Sequence, residues 1–239
     1  MMDQLTHSVQ QVLELLGNLL TGTANWIFHN VAATVALLIA VFSEHLKRLF
    51  WHPKLDVQCA CAPPDCLKTS MTIPGVPPRV VSRPCYYFRI RVGNIGCSSA
   101  ENVEVIMEEL YEKRANGQFE KRQDFQALNL LWAHYGKPQF DAIPPGIYRH
   151  CDLGHVELSL NPRPQAQQSE RQLETFDFDF VVHPNTGQSQ IRPGTYRLRI
   201  AAVASNARIV RRTVELVFSG QWHNDEATMF RDGVSLRLV

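Results

Sequence analysis

A long stretch without any charged side chain constrains this chain more than any other feature. No Asp, Glu, Lys or Arg occurs from Leu15 to Ser43, and the second half of that stretch, from Trp26 to Phe42, is almost wholly apolar. A helix needs roughly 20 such residues to cross a bilayer. The sequence therefore predicts a transmembrane helix and its juxtamembrane end in residues 23–50. A buried core helix is the alternative, although such helices are usually shorter and interrupted by charge.

Aromatic and basic side chains flank this span. Aromatic rings favour the membrane–water interface, and one tryptophan lies near each end of the span. The predicted membrane anchor comprises Trp26, Ile27, Phe28, Val31, Leu37, Leu38, Ile39, Phe42, Lys47, Arg48 and Trp51.

The charges on either side of the span predict its orientation. Asp3 and Glu14 are the only charges before it, whereas Lys47, Arg48 and Lys54 follow it. Because basic flanks stay in the cytoplasm, we expect a single-pass protein of the cell inner (cytoplasmic) membrane, with its N-terminus outside and its C-terminal domain in the cytoplasm. A cleaved signal peptide is the alternative, but no basic n-region or small-residue cleavage site is evident.

Residues 1–22 predict a separate amphipathic helix. Six apolar residues recur at helical spacing and Thr21-Gly22 ends the pattern. The polar face lacks Lys and Arg, so its attraction to lipid headgroups is weak. The helix is expected either to rest at the interface or to mediate self-association. The apolar residues are Leu5, Val9, Val12, Leu13, Leu16 and Leu20.

From residue 51 onward the apolar period changes from helical to alternating. Alternation indicates half-buried strands, because successive strand side chains point to opposite faces. About nine strands are predicted, and no clear long helix follows any of them, so the fold class is all-β: an antiparallel β-sandwich domain over residues 51–239. The residues predicted to point inward are Tyr86, Phe88, Ile90, Val92, Phe176, Phe178, Phe180, Val182, Tyr196, Leu198, Ile200, Ala202, Val214, Leu216, Phe218, Val234, Leu236 and Leu238.

Outward charges and proline content predict further detail. Asp177 and Asp179 are expected to face Arg197 and Arg199 across a hairpin. The proline-rich stretch from Ala62 to Pro84 is expected to be loop-like and not a central strand. The polar stretch from Asn161 to Gln172 is expected to be a loop as well. The segments "FQALNLLW" and "NVEVIMEEL" are each expected to form one strand.

The stretch "RVGNIGCSSAENVEV" has two interpretations. A phosphate-binding loop follows a strand and opens a helix. Here the following residues alternate and are rich in β-branched side chains, and the full glycine fingerprint is missing. The stretch therefore predicts a turn between two strands, with Gly93 and Gly96 at positions of unusual φ.

The same stretch resembles immunoglobulin-like β-sandwich domains of the cell-adhesion-related type in bacteria. "RPGTYRLRI" resembles the Pro-Gly-Thr-Tyr start of a strand in fibronectin-like sandwiches. The resemblance implies an immunoglobulin-like or fibronectin-like fold of uncharacterised function, often with a binding role. It brings no catalytic residues.

Composition and local clusters suggest little chemistry. With 24 Lys+Arg against 23 Asp+Glu, there is no reason to expect nucleic acid. The cysteines Cys59, Cys61 and Cys66 lack the usual zinc-knuckle spacing. His150, Cys151, Asp152 and His155 lie close in sequence, but alternation separates Cys151 from its neighbours. We expect no catalytic residue, no metal and no cofactor.

The mixed charge run around Asn116-Gly117 predicts a hairpin that projects from the domain. Its possible partner-binding residues are Tyr111, Lys113, Arg114, Asn116, Phe119 and Lys121. The predicted function is a membrane-anchored, non-enzymatic protein that acts in protein–protein interaction or assembly at the cytoplasmic membrane. The alternative is a membrane effector whose β-domain senses a small molecule or nucleotide and whose N-terminal helices oligomerise.

Overall fold

The computed structural model describes residues 30–37, 39, 51–74, 80–158, 175–183 and 187–239. The chain divides into two compact units, Met1–Trp51 and His52–Val239. Of the predicted amphipathic helix 1–22, nothing lies within the described residues. Of the predicted anchor, only Val31, Leu37, Ile39 and Trp51 do; Trp26, Ile27, Phe28, Leu38, Phe42, Lys47 and Arg48 lie outside them.

In the first unit, residues 30–37 are helical. Thr34 donates from its hydroxyl to the carbonyl oxygen of Asn30 at 2.7 Å. The apolar side chains here are exposed, at 57% for Val31 and 64% for Leu37. Across the described part of the chain, no helix has the length and apolarity needed to cross a membrane.

The second unit consists of two antiparallel sheets. Sheet A has the order β1-β3-β9-β10-β11, with β2 also paired to β3 and β7 to β9. Its strands are β1 (Leu55–Gln58), β2 (Cys66–Pro74), β3 (Val80–Asn94), β7 (Leu131–Trp132), β9 (Tyr148–Glu157), β10 (Phe176–Phe178) and β11 (Gln190–Ile191).

Sheet B has the order β14-β13-β12-β4-β5, with β6 and β8 also paired to β4. Its strands are β4 (Ala100–Lys113), β5 (Phe119–Lys121), β6 (Leu128–Asn129), β8 (Gln139–Ile143), β12 (Gly194–Val203), β13 (Val210–Phe218) and β14 (Val234–Leu238). A short helix, Glu226–Thr228, and a π-helical turn, Met229–Gly233, precede β14.

The hydrophobic core lies between the two sheets. Phe88 of sheet A and Leu198 of sheet B are both fully buried in one continuous cluster. Phe176 of sheet A meets Phe218 of sheet B with ring centroids 6.3 Å apart. Burial of these side chains is the main stabilising contribution, at roughly 1.5–3 kcal/mol for each one. The prediction of an all-β antiparallel sandwich is confirmed.

Most of the predicted inward residues are buried, with two exceptions. Val182 is 61% exposed, because β10 ends at Phe178 and the chain leaves the sheet. Leu238 is 38% exposed at the end of the edge strand β14. The predictions for these two residues are wrong.

The expected pairing of Asp177 and Asp179 with Arg197 and Arg199 is also wrong. The acidic pair belongs to the β10 segment of sheet A and the arginines to β12 of sheet B. Asp177 accepts a hydrogen bond from Gln190, and Arg197 pairs with Glu215. Alternation identifies the face of a strand but not its partner strand.

The proline-rich stretch 62–84 is not a loop. Most of it forms β2 and the beginning of β3, which pair from Cys66 with Phe88 to Pro74 with Val80. Proline is tolerated because β2 pairs only with β3 among the described strands and lies at the sheet edge. The predicted loop 161–172 lies outside the described residues.

The segment "FQALNLLW" is not one strand. β6 pairs with β4 in sheet B, and β7 pairs with β9 in sheet A. Leu130 stands between them, fully buried, at the point where the chain passes from one layer to the other. Its amide donates to the carbonyl oxygen of Val105 at 2.9 Å. An apolar run that crosses the core has the same composition as a buried strand, so the sequence pattern could not separate them.

Candidate functional site

The stretch 91–105 is a connection between strands and not a phosphate-binding loop. It includes the end of β3, the turn 95–99 and the start of β4, so the predicted turn is confirmed. The predicted reason for its glycines is wrong, since neither Gly93 nor Gly96 has a positive φ. A Cβ on Gly93 would clash with the ring of Tyr148, and one on Gly96 would clash with the backbone of His52 and Lys54. These glycines allow close approach.

The predicted hairpin is present. β4 and β5 pair from Tyr111 with Lys121 to Lys113 with Phe119. Gly117 at its tip has a φ of 82°, and the Asn116 side chain accepts a hydrogen bond from the Gln118 amide at 2.9 Å. A positive φ favours glycine at such a turn.

Three of the six predicted partner-binding residues, Tyr111, Phe119 and Lys121, are engaged within the domain. Glu109 accepts from Lys121 at 2.7 Å and from Tyr111 at 2.9 Å. With a further bond from Arg199, these donors lower the pKa of Glu109 to about 2. Phe119 lies under the guanidinium of Arg197, whose central carbon is 3.9 Å from the ring centroid.

The remaining hairpin side chains are more exposed. Arg114 pairs with Glu120 at 2.6 Å, although half of its side chain is in solvent. Lys113 and Asn116 are exposed at the tip. The hairpin therefore projects from the domain and is held by its own ion pairs and hydrogen bonds. Its role in partner binding stays a prediction.

A polar surface that the sequence analysis did not single out covers the outer face of sheet A. Arg89 of β3 pairs with Asp152 of β9 at 2.8 Å, and only 11% and 17% of their side chains are exposed. His155 of β9 pairs with Asp179 at 3.0 Å, at 14% and 17% exposure. The sequence signal for this surface was the alternation in "RIR" (residues 89–91) and "HCD" (residues 150–152). In each triplet the two polar side chains share one face of the strand.

A buried carboxylate closes one end of this surface. β1 and β2 both pair with β3, and the loop between them carries Asp65, which is 1% exposed. Asp65 accepts from Arg91 at 3.0 Å and contacts His150 at 3.1 Å. It also accepts from the amide of Ala60 at 3.0 Å. Its hydrogen bonds link the edge of sheet A to the central strands.

Burial and charge perturb the groups on this face. Burial raises the pKa of Asp152, although the hydrogen bond from Arg89 acts against it. For His155, burial lowers the pKa, but the hydrogen bond and charge of Asp179, together with Asp177 and Glu157, produce a net increase. Burial, followed by the negative charge of Asp179, raises the pKa of Tyr87 to about 12. Tyr87 stacks on His155 with ring centroids 5.3 Å apart.

Part of this face is concave. We call this part the sheet A groove; its volume is about 440 Å³. His134 lies beside it with a φ of 61°, a left-handed conformation that few non-glycine residues adopt. Its walls include both apolar and polar side chains, among them Leu67, Thr69, Met71, Tyr87, Arg89 and Asp152.

The groove runs along an edge strand. β2 has no second partner strand in the described part of the fold, so its outer backbone groups face away from the sheet. One of these groups, the amide of Lys68, donates to the carboxylate of Glu226 at 2.6 Å. The ammonium group of Lys68 donates to the carbonyl oxygen of Asn224 at 2.7 Å. These two bonds cover only the start of the β2 edge.

A second groove of about 390 Å³ lies beside the β4–β5 hairpin. Arg122, one of its basic residues, is already paired with Asp124 at 3.0 Å. The hydroxyl of Tyr196 donates to the carbonyl oxygen of Arg192 at 3.0 Å. Both groups are therefore already bonded within the domain.

The cysteine and histidine clusters do not form an enzyme-like arrangement. Cys151 is fully buried, and its thiol donates to the carbonyl oxygen of Leu131 at 3.2 Å, away from His150. All six cysteines are free. Among the described residues, no group of three or more His, Cys, Asp or Glu could hold a metal ion. The expectations of no catalytic residue and no cofactor stay predictions.

Comparison with known proteins gives no match. No protein-family model, no curated protein and no solved structure is significantly similar to this chain.

Proposed function

We propose that this chain is a membrane-tethered, non-enzymatic β-sandwich protein that binds a protein partner at the cytoplasmic membrane. The observation that carries the tether is the exposure of apolar side chains on helical residues 30–37 and at Ile39, which lie within the charge-free stretch 15–43. Exposed apolar side chains in series are costly in water and favourable in lipid. The proposed arrangement is a single span with its N-terminus outside, followed by an immunoglobulin-like domain in the cytoplasm.

The filled core supports a binding role over catalysis. Aromatic and aliphatic side chains from both sheets occupy the interior, and both grooves described above are open to the surface. A protein interface of this kind uses an exposed surface instead of an enclosed pocket.

We place the partner site on the sheet A groove. It combines apolar contacts from Leu67, Met71 and Tyr87 with the open backbone edge of β2. An extended peptide segment can pair with such an edge and place alternate side chains in the adjacent groove. The hairpin is the second surface, and the sequence prediction for it is tested alongside.

The ligand-sensing effector is the second candidate. The volume of the sheet A groove is sufficient for a small molecule, which favours this reading. A phosphate-bearing signal would need unpaired basic groups, whereas Arg89 is already bonded to Asp152. The protein partner therefore fits the groove better.

Cell fractionation with protease accessibility tests the tether. We expect the full chain to sediment with membranes, to resist extraction by salt and to dissolve in detergent. The C-terminal domain should be protected in spheroplasts and digested after lysis. Recovery of the full chain in the soluble fraction would contradict the tether, and digestion in intact spheroplasts would reverse the orientation.

Site-specific photocrosslinking in cells tests the partner site. A photoreactive residue at Thr69, in the sheet A groove, is compared with one at Asn116, at the hairpin tip. Arg211 of β13 serves as the control, because 45% of its side chain is exposed and it belongs to sheet B, whereas the groove lies on sheet A. We expect a discrete protein adduct from Thr69 alone. An adduct from Asn116 alone would move the site to the hairpin, and no adduct from either would contradict the binding role.

A further inference from the structure

Three exposed isoleucines occupy three separate loops of the β-sandwich. Ile95 follows β3, Ile147 precedes β9, and Ile209 precedes β13, with exposures of 47%, 40% and 48%. A single exposed apolar side chain is ordinary, but several at one location indicate an interaction surface.

Backbone hydrogen bonds show that these loops lie at one end of the sandwich. The amide of Asn94 donates to the carbonyl oxygen of Ile147 at 3.1 Å, which joins the first loop to the second. Asn206 accepts from the amide of Glu101 at 3.0 Å and donates to the carbonyl oxygen of Ser99 at 2.9 Å. These bonds join the first loop to the third. We call this end, formed by residues 52–54, 95–99, 144–147 and 204–209, the proximal end.

The chain also enters the domain at the proximal end. The amide of Ile95 donates to the carbonyl oxygen of Lys54 at 2.8 Å, and the amide of Cys97 donates to that of His52 at 3.2 Å. Phe42, the last residue of the apolar run, lies ten positions before His52. Ten residues extend to at most about 35 Å. A span that ends near Phe42 would therefore limit the distance from the bilayer surface to the proximal end to about 35 Å.

The charges around the three isoleucines favour an anionic surface. Three basic residues, Lys54, Arg149 and Arg208, are exposed at or beside the proximal end, against two exposed acidic residues, Glu101 and Asp141. Basic side chains near the cytoplasmic leaflet are attracted to its anionic lipids, at about 1 kcal/mol each. Apolar tips ringed by basic groups are suited to the headgroup layer.

We propose that the proximal end rests on the lipid headgroup layer, with Ile95, Ile147 and Ile209 inserted at the interface. This inference depends on the tether of the proposed function and adds the orientation of the domain to it. The β-sandwich then stands on the membrane. β4 runs from Ala100 at the proximal end to the hairpin, and its 14 residues span about 45 Å. The hairpin tip therefore projects away from the bilayer.

Lipid quenching of two matched labels tests this orientation in the full chain. The chain is reconstituted into vesicles of zwitterionic lipid with about one third anionic lipid. Cys97 is the exposed cysteine of the proximal end and is labelled with nitrobenzoxadiazole. The matched distal label is placed at N116C in a Cys97→Ser background, and Cys97→Ser alone gives the background from the other thiols.

We expect a headgroup-attached quencher to quench the label at Cys97 and to leave the label at position 116 unquenched. The variant I95S/I147S/I209S should lower the quenching at Cys97 to the level of the distal label and still float with vesicles. V182S/V217S is the control, because both valines are exposed outside the proximal end and the quenching should be unchanged.

The outcomes separate the two proposals. A chain that fails to float with vesicles would overturn the tether and this inference with it. A chain that floats with Cys97 unquenched would overturn the orientation alone. Equal quenching of both labels would mean that the domain lies flat, and a blue-shifted but unquenched label at Cys97 would mean that protein covers this end. Either result would also overturn the proposal.

Discussion

The side-chain nitrogen of Asn94 donates to the carbonyl oxygen of Ile143 at 2.9 Å. This bond joins the end of β3 in sheet A to the end of β8 in sheet B. The same side-chain nitrogen donates to the carbonyl oxygen of Ser98 at 2.6 Å. Its side-chain oxygen accepts from the amides of Lys54 and Gly96 at 3.1 and 3.0 Å. A fully buried side chain thus satisfies four backbone groups from three segments of the proximal end.

Replacing Asn94 by Ala should destabilise the domain by about 2–4 kcal/mol, because buried backbone donors and acceptors lose their partner. Chemical unfolding of the full chain in mild detergent, followed by tryptophan fluorescence, measures the change. Asn206→Ala is the control. It also removes two hydrogen bonds to backbone, but these are exposed, so we expect less than about 1 kcal/mol. Equal effects would contradict the role given to Asn94.

Gly96→Ala should be more destabilising than Gly117→Ala. The added methyl group of Gly96→Ala meets the backbone of His52 and Lys54, which cannot rotate away. We expect about 2 kcal/mol or more. At Gly117 there is space for the methyl group, and only the positive φ opposes the change, at about 1 kcal/mol. The same unfolding measurement compares the two, and the reverse order would mean that the segment 52–54 does not lie against Gly96.

Arg89→Met should cost about 2–4 kcal/mol, because it leaves the carboxylate of Asp152 buried without its charged partner. Adding Asp152→Leu should recover most of that loss, because a buried ion pair replaced by apolar side chains is often neutral. The double-variant cycle measures the coupling. If the stability losses of the two single variants simply add in the double variant, solvent screens the ion pair. The description of this face as buried would then be wrong.

The contact between His155 and Asp179 should make stability depend on pH. The folded-state pKa of His155 is raised above the ordinary value of 6.5. The contribution of His155 to the folding stability is therefore fully present below its pKa in the unfolded state. It is lost as pH rises through its pKa in the folded state. We expect the unfolding free energy to fall across the neutral range, relative to its value near pH 5.5.

His155→Gln should remove this pH dependence while retaining a polar side chain opposite Asp179. The comparison is made at each pH, so that the other titrating groups cancel. A variant whose stability keeps the same slope with pH would show that the dependence comes from elsewhere in the domain.

Thiol alkylation should follow exposure and pKa. Cys97 is exposed and should react first, whereas Cys151 is fully buried, and burial raises its pKa further. Cys59 and Cys61 are both half-buried but should differ. The hydrogen bond with Cys66 lowers the pKa of Cys61, while burial raises that of Cys59 to about 11. Timed alkylation with mass spectrometry gives the order, and modification of Cys151 before Cys97 in the folded chain would contradict the fold.

The alternating segments show how much of the fold could be predicted. Tyr86, Phe88, Ile90 and Val92 were assigned to the core by period alone, and all four are fully buried. The period of a strand is a local property of the chain, so a short window of sequence suffices. The turn at residues 95–99 was predicted for the same reason.

The predictions that failed depend on contacts between residues that are far apart in the sequence. Asp177 and Asp179 show a strand face, but the neighbours of that face were set by the sheet to which each strand belongs. In the sequence, Leu130 has the pattern of a residue within one strand. No local feature of the sequence shows that the chain crosses from sheet B to sheet A there. Gly93 and Gly96 were identified as special, yet the reason lies in Tyr148, His52 and Lys54. The sheet A groove was missed because it is assembled from β2, β3 and β9.

The bonds that β4 makes with β12 and with the turn after it join parts of the chain that are far apart in sequence. Arg199 donates to Glu109, 90 residues earlier, and Ser205 donates to Glu101, 104 residues earlier. Pairing over such separations is slow, because a large loop must close before any contact forms. During synthesis, the middle of sheet B has to wait until most of the polypeptide has left the ribosome. Until then, the apolar face of β4 stays exposed and is prone to aggregation.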